Sequence, residues 1–122
     1  MTALILVVED DLPLQSLYRE VLGKFGYRVE VATTASQASD FVQRPDPIAA
    51  VVVDLHLPGE SGGDAVVAAM RGKAPVIVVT GSADDDLERR LKADGAFALL
   101  RKPFGMTTLV EIVRAAVDSQ SS

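Results

Sequence analysis

The chain has 122 residues, a net charge of -5, 48% hydrophobic residues and no cysteine. That length holds one domain with a real core and not two, and the composition is that of a folding chain rather than a disordered tail. The missing thiols exclude disulfide frameworks, thiolate zinc sites and thiol catalysis, and an isoelectric point near 4.7 argues against phosphate contacts to nucleic acid, leaving a cation or a basic partner as the better match for the domain.

Strand-like and helix-like segments alternate from end to end. Ala3-Leu4-Ile5-Leu6-Val7-Val8 is a continuous apolar run whose length and branching predict a strand buried on both faces. It stops at three acids, Glu9, Asp10 and Asp11. Pro13 then stands where a first helical turn accepts proline. Leu14, Leu17, Tyr18, Val21, Leu22 and Phe25 follow at three- and four-residue steps and predict a helix that Gly26 closes. Tyr27 to Ala32 alternates polar and apolar residues, as a half-exposed strand near a sheet edge would. Thr33 and Thr34 can cap a second helix running to Arg44, with Ala35, Ala38, Phe41 and Val42 facing inward, and Pro45-Asp46-Pro47 ends it.

Ile48 to Val53 reads as the third strand and carries Asp54 at its end. The loop Gly59 to Gly63 leads to a short helix over Asp64 to Met70, and Gly72 and Pro75 mark the next turn. Val76-Ile77-Val78-Val79 is a fourth, fully apolar strand ending at Thr80-Gly81-Ser82. Asp84, Asp85 and Asp86 open a helix whose apolar stripe is Leu87 and Leu91, with Ala83 the one further candidate, so it should be the least firmly packed; Gly95 closes it. Ala96 to Leu100 is the fifth strand, followed by Arg101-Lys102-Pro103-Phe104. Leu109, Ile112, Val113, Ala116 and Val117 give the last helix, and Asp118 to Ser122 reads as a polar tail, with the domain placed at 1–118 and the tail at 119–122. Met1 directly before the first strand fits a natural start; the tail fits either an end or the start of a linker. No apolar run approaches the ~20 residues of a membrane span, and no basic region precedes the first strand as in a signal peptide, so a cytoplasmic location without membrane contact is expected.

Five strands alternating with five helices predict an α/β fold: a doubly wound parallel sheet of the flavodoxin-like order 2-1-3-4-5. The unalternating strands 1, 3 and 4 suit central positions, and the alternating strand 2 suits an edge. In such a sheet the carboxyl ends share one rim, with neighbouring strands about 4.8 Å apart. That rim then carries Glu9, Asp10, Asp54, Thr80 and Lys102. Bare carboxylates so close repel one another, and a Mg²⁺ with its oxygen ligands removes that penalty. A lysine, a hydroxyl and a hard cation around one carboxylate describe a site for an anion, and phosphoryl transfer is the direct reading.

The motifs Leu6-Val7-Val8-Glu9-Asp10-Asp11, Asp54-Leu55-His56-Leu57-Pro58-Gly59 with Gly62, Val79-Thr80-Gly81-Ser82 and Lys102-Pro103-Phe104 resemble those of receiver domains of two-component response regulators, the family that includes the chemotaxis regulator. The resemblance covers Ala3 to Val117. It implies that Asp54 accepts a phosphoryl group from a phosphohistidine, and that Asp10, Glu9 (directly or through a water), Asp54 and the backbone carbonyl of His56 hold Mg²⁺. Thr80 would bond a phosphoryl oxygen, Lys102 would pair with it, and the Lys102–Pro103 bond would be cis. The partners implied are a sensor histidine kinase or a histidine phosphotransfer protein, and a homodimer or effector contact through the face of helix 4, strand 5 and helix 5. The resemblance further implies a self-phosphorylating, self-dephosphorylating switch or relay shuttle in two-component signalling rather than a turnover enzyme on an external substrate.

Each residue also has a plainer reading. Acids before a helix are often caps, and Asp11 is the one to which that reading applies best. Thr80 and Lys102 taken singly are an ordinary strand residue and a solvated side chain. His56, the single histidine, has no partners for a zinc site. It and Ser82 stand where the family tunes hydrolysis of the acyl phosphate, and an exposed loop imidazole is an equally good account of His56. Gly81 stands where alanine is frequent in the family, leaving more room over the site. Leu99 occupies the place of the family's switch aromatic; Phe97 lies two residues earlier and Phe104 beyond the lysine. A readout through Ser82 to Lys92 is therefore expected instead. Two rivals remain: an adaptor that binds partners without phosphorylation, and a haloacid-dehalogenase-like phosphatase, whose second aspartate His56 replaces. A flavodoxin is a rival in fold only, without a phosphate-cradling loop.

Overall fold

The computed structural model describes residues 2–55, 63–81 and 85–120. Five strands, β1 (Leu4–Val8), β2 (Arg28–Ala32), β3 (Ala50–Asp54), β4 (Val76–Thr80) and β5 (Ala98–Arg101), alternate with five helices, α1 (Leu12–Lys24), α2 (Ala35–Val42), α3 (Gly63–Met70), α4 (Asp85–Ala93) and α5 (Met106–Ser119). All neighbouring pairs are parallel and the order is β2-β1-β3-β4-β5. The expected flavodoxin-like topology is the observed one.

Two cores follow from strand alternation. Leu6, Val8, Val51, Val53, Val76 and Val78 face α2, α3 and α4, meeting Ala38, Phe41, Val66, Val67, Met70 and Leu91. Ile5, Val7, Ala50, Val52, Ile77 and Val79 face α1 and α5, meeting Tyr18, Leu22, Leu109, Val110, Val113 and Ala116. Burial on both faces is why these strands read as unbroken apolar runs. The edge strand β2 is exposed to half-buried except at Ala32, as its alternation predicts. Helix α4 buries only Leu91.

Several boundaries differ from the sequence reading for identifiable reasons. Helix α2 stops at Val42, short of Arg44, because Gln43 N and Arg44 N turn back to Asp40 O and Phe41 O, and a residue before proline is disfavoured in helical conformation. The strands begin later than Tyr27 and Ala96 because those residues close the preceding helices: Tyr27 N donates to Leu22 O and Ala96 N to Leu91 O, across Gly26 (φ 90°) and Gly95 (φ 113°). The third strand starts at Ala50 rather than Ile48 and takes in Asp54. Helix α5 continues through Asp118 and Ser119, which the sequence reading assigns to the tail; Ser119 Oγ donates to Ala116 O at 2.6 Å and Gln120 N to Val117 O at 3.2 Å. Among the described residues no helix is long and apolar enough to cross a membrane.

Candidate functional site

The acids of the first turn are held by a local network. Asp11 caps α1, its Oδ2 accepting from Leu14 N at 3.1 Å, with Pro13 in the first turn. Asp11 N donates to Glu9 Oε2 at 3.1 Å, and Glu9 N donates to Ala32 O at 2.9 Å. These bonds make Asp11 a structural member and leave Glu9 and Asp10 for chemistry. Glu9 is 2% exposed; Asp10 is exposed.

Strand alternation brings Glu9 and Asp54 to one face. Glu9 continues the parity of Ile5 and Val7, and Asp54 that of Ala50 and Val52, all on the α1/α5 side. Burial pushes the Glu9 carboxyl above the ordinary carboxylate range; Asp54 and a hydrogen bond with Asp10 push it further, against the Asp11 amide and Lys102. Tyr18 on α1 is 3% exposed, and burial together with the charges of Glu9 and Asp54 keeps its phenol protonated well beyond the usual range. The carboxyl of Glu9 thus interacts with those of Asp10 and Asp54, and the buried phenol of Tyr18 feels the charges of Glu9 and Asp54, which makes this rim strongly acidic.

Lys102 is the cation that the chain itself supplies. Its Nζ lies 3.1 Å from Asp54 Oδ2, with the lysine side chain 36% and the aspartate 12% exposed. The Lys102 backbone is tied to the neighbouring strand end, its N donating to Thr80 O at 2.8 Å, and the Lys102–Pro103 peptide bond is cis. Thr80 is fully buried at the end of β4, opposite Arg101 in the register. Gly81 is exposed, and among the described residues a Cβ there would meet nothing within 4 Å. His56 and Ser82 lie outside the described residues, and with them the carbonyl expected to complete a cation site.

The donor set suits a hard divalent ion: Glu9, Asp10 and Asp54 offer only oxygens, and a cation beside them would offset both the burial and the neighbouring negative charge that raise the Glu9 carboxyl. Among the described residues no three acid or histidine side chains already converge as a cage. Mg²⁺ does not require one, since it is bound through one or two carboxylates and keeps several waters.

Three contacts at this rim are not readable from motifs. Gln15 Nε2 donates to Glu9 O at 2.6 Å. Gly63, at the start of α3, lies so close to the end of β3 that a Cβ would stand 2.8 Å from Leu55 Cα and 3.0 Å from Asp54 O. Arg101, beside Lys102 in sequence, reaches 3.2 Å to both Asp85 Oδ1 and Glu88 Oε2 of α4.

Comparison with known proteins agrees with this fold. The profile of the response regulator receiver domain family matches residues 5–114. The chain is 34% identical over 112 residues to protein-glutamate methylesterase/protein-glutamine glutaminase 2 of Paramagnetospirillum magneticum, covering 84% of this chain and 31% of that protein. It is 36% identical over 113 residues to the transcriptional regulatory protein CpxR of Escherichia coli, covering 91% of this chain and 47% of that protein. The chain therefore spans less than half the length of either. Among solved structures, a CheY-like response regulator receiver domain protein from Methanospirillum hungatei superposes with a TM-score of 0.89 at 27% identity, covering 99% of this chain and 98% of that one. The receiver domain of a sensor histidine kinase from Pseudomonas aeruginosa, described with a magnesium ion coordinated in the active site cleft, gives a TM-score of 0.82 at 25% identity over 97% of this chain and 99% of that one. The fold, the rim of acids facing a lysine and the match over residues 5–114 lead to one conclusion: the chain belongs to the response regulator receiver domain family.

Proposed function

We propose that this receiver domain accepts a phosphoryl group on Asp54 from a phosphohistidine, carried by a sensor histidine kinase or a histidine phosphotransfer protein, in a Mg²⁺-dependent reaction. The observation that carries this reading is the Lys102–Asp54 pair at 3.1 Å, with the buried Glu9 carboxyl beside it. An Asp54 oxygen forms the new bond to phosphorus as the bond from phosphorus to the donor's imidazole nitrogen breaks. Lys102 holds Asp54 in place before transfer and is positioned to pair with a phosphoryl oxygen after it. Thr80, on the adjacent strand end, would supply a hydroxyl to another of those oxygens. Glu9, Asp10, Asp54 and the His56 carbonyl would hold Mg²⁺, which would neutralise charge on the transferring group. The chemistry is positioning and charge compensation more than covalent catalysis.

The product is an acyl phosphate, so the domain acts as a phosphorylation switch or a relay shuttle. Output through the face of α4, β5 and α5, to a second copy or an effector, is supported by the tie from Arg101 on β5 to Asp85 and Glu88 on α4. The lifetime of the phosphorylated state is assigned to His56 and Ser82. Incubation with acetyl phosphate and Mg²⁺ should add the mass of one phosphoryl group to the wild type and none to Asp54→Asn. No gain in the wild type would favour an adaptor that works by protein binding alone.

A further inference from the structure

The acids at the end of β1 must be aimed as well as supplied. Successive side chains of an extended segment point to opposite faces, so Glu9 and Asp10 can serve one cation only if the peptide unit between them departs from the strand in a defined way. The oxygen of that peptide unit, Glu9 O, accepts from Gln15 Nε2 at 2.6 Å. Gln15 is half-buried in the first turns of α1, six residues along the chain. The two sides of the turn are held separately: Glu9 N to Ala32 O of β2 on one, and Asp11 to Leu14 N of α1 on the other. Gln15 fixes the plane that lies between these anchors.

We propose that Gln15 is a positioning residue for the acidic cation site: by fixing the Glu9–Asp10 peptide it sets the direction of the Asp10 carboxylate before a cation arrives. The proposal rests on the Mg²⁺-dependent reading above. Mg²⁺ demands near-octahedral ligand geometry and tolerates misplaced oxygens poorly. Residues that orient metal ligands typically account for about 10–100-fold in affinity. A carboxamide suits the task because it donates without charge; a lysine or arginine there would compete with the cation for the acids.

The test is the dissociation constant of Mn²⁺, by electron paramagnetic resonance, with Mg²⁺ as competitor, on wild type, Gln15→Met and Gln15→Asn. The first variant keeps the length and loses the donor; the second keeps the amide and withdraws it by one methylene group. Each should bind at least about 10-fold more weakly than wild type, and either suffices if the other fails to fold. Denaturation with chelator, run in parallel, reads fold stability. A purely structural role would lower that midpoint and leave the native-state dissociation constant unchanged, which overturns the proposal. Wild-type protein that binds neither ion at millimolar concentration would overturn the Mg²⁺-dependent reading itself, and the role of Gln15 with it.

Discussion

Lys102 Nζ and Asp54 Oδ2 lie 3.1 Å apart although 48 residues separate them in the chain. The pairing exists because β3 and β5 flank β4 and all three strands run the same way, so their carboxyl ends meet at one rim. Thr80 O, accepting from Lys102 N at 2.8 Å, sets the height of the lysine on that rim.

Replacing Lys102 by methionine keeps most of the side chain's bulk and removes the charge. Asp54 then lacks the cation that orients it and that would meet the transferred group. Loss of one preorganised electrostatic partner typically costs about 10²–10³-fold in rate. The initial rate of mass gain with acetyl phosphate and Mg²⁺ should fall by about that factor in Lys102→Met. A rate within twofold of wild type would remove Lys102 from the mechanism.

Gly63 is where α3 meets the end of the acceptor strand. Gly63 N donates to Leu55 O at 3.1 Å, and an added Cβ would meet Leu55 Cα at 2.8 Å and Asp54 O at 3.0 Å. Both obstacles are backbone, so they cannot rotate away, and α3 would have to retreat. Gly63→Ala should therefore destabilise by about 1–3 kcal/mol, the usual cost of overpacking, even though alanine favours helix more than glycine does. A urea midpoint at or above that of wild type would show that the approach is looser than these distances imply.

The fold was legible because burial on both faces writes itself into the strands as unbroken runs such as Val51-Val52-Val53 and Val76-Ile77-Val78-Val79. The approach of Lys102 to Asp54 was legible because both fall at strand ends, which a parallel sheet must bring together. Gln15, Gly63 and Arg101 were not. Each acts on a partner that no motif marks: a strand-end carbonyl, the backbone at Leu55, and the acids Asp85 and Glu88 on α4. The starts of β2 and β5 were misplaced because Tyr27 and Ala96 serve helix closure first, although both look apolar enough for a strand.

Glu9 makes stability depend on pH in a predictable direction. Burial first, then Asp54 and Asp10, raise its pKa above the ordinary 4.5. The folded state therefore holds a proton that the unfolded state has released in the window between 4.5 and the raised value. Stability from this group is complete below 4.5 and is lost as pH rises through the folded pKa. In the presence of chelator, urea midpoints of wild type should decline across that window relative to Glu9→Gln, and saturating Mg²⁺ should reduce the difference. Parallel pH profiles of the two proteins in chelator would show that Glu9 ionises without cost.

Leu99, which by the sequence resemblance holds the place of the family's switch aromatic, packs half-buried in the core beneath α2, α3 and α4. Phe97 is 38% exposed and lies at the opposite end of β5 from Lys102. Among the described residues Arg101 ties the rim to α4: its neighbour Lys102 holds Asp54 while its own guanidinium holds Asp85 and Glu88. Glu88 is also paired with Lys92 at 3.2 Å, so the tie extends along the helix. These groups are well exposed, with Arg101 at 41% and Asp85 at 88%, so their global worth after solvent screening is at most about 1 kcal/mol. The local effect is larger in proportion, because α4 buries only Leu91. Arg101→Ala should speed amide hydrogen exchange in α4 while leaving the denaturation midpoint almost unchanged, and should blunt the exchange change that phosphorylation produces there. Exchange in α4 that is the same in both proteins, with and without acetyl phosphate, would show that the signal leaves the site by a route other than Arg101.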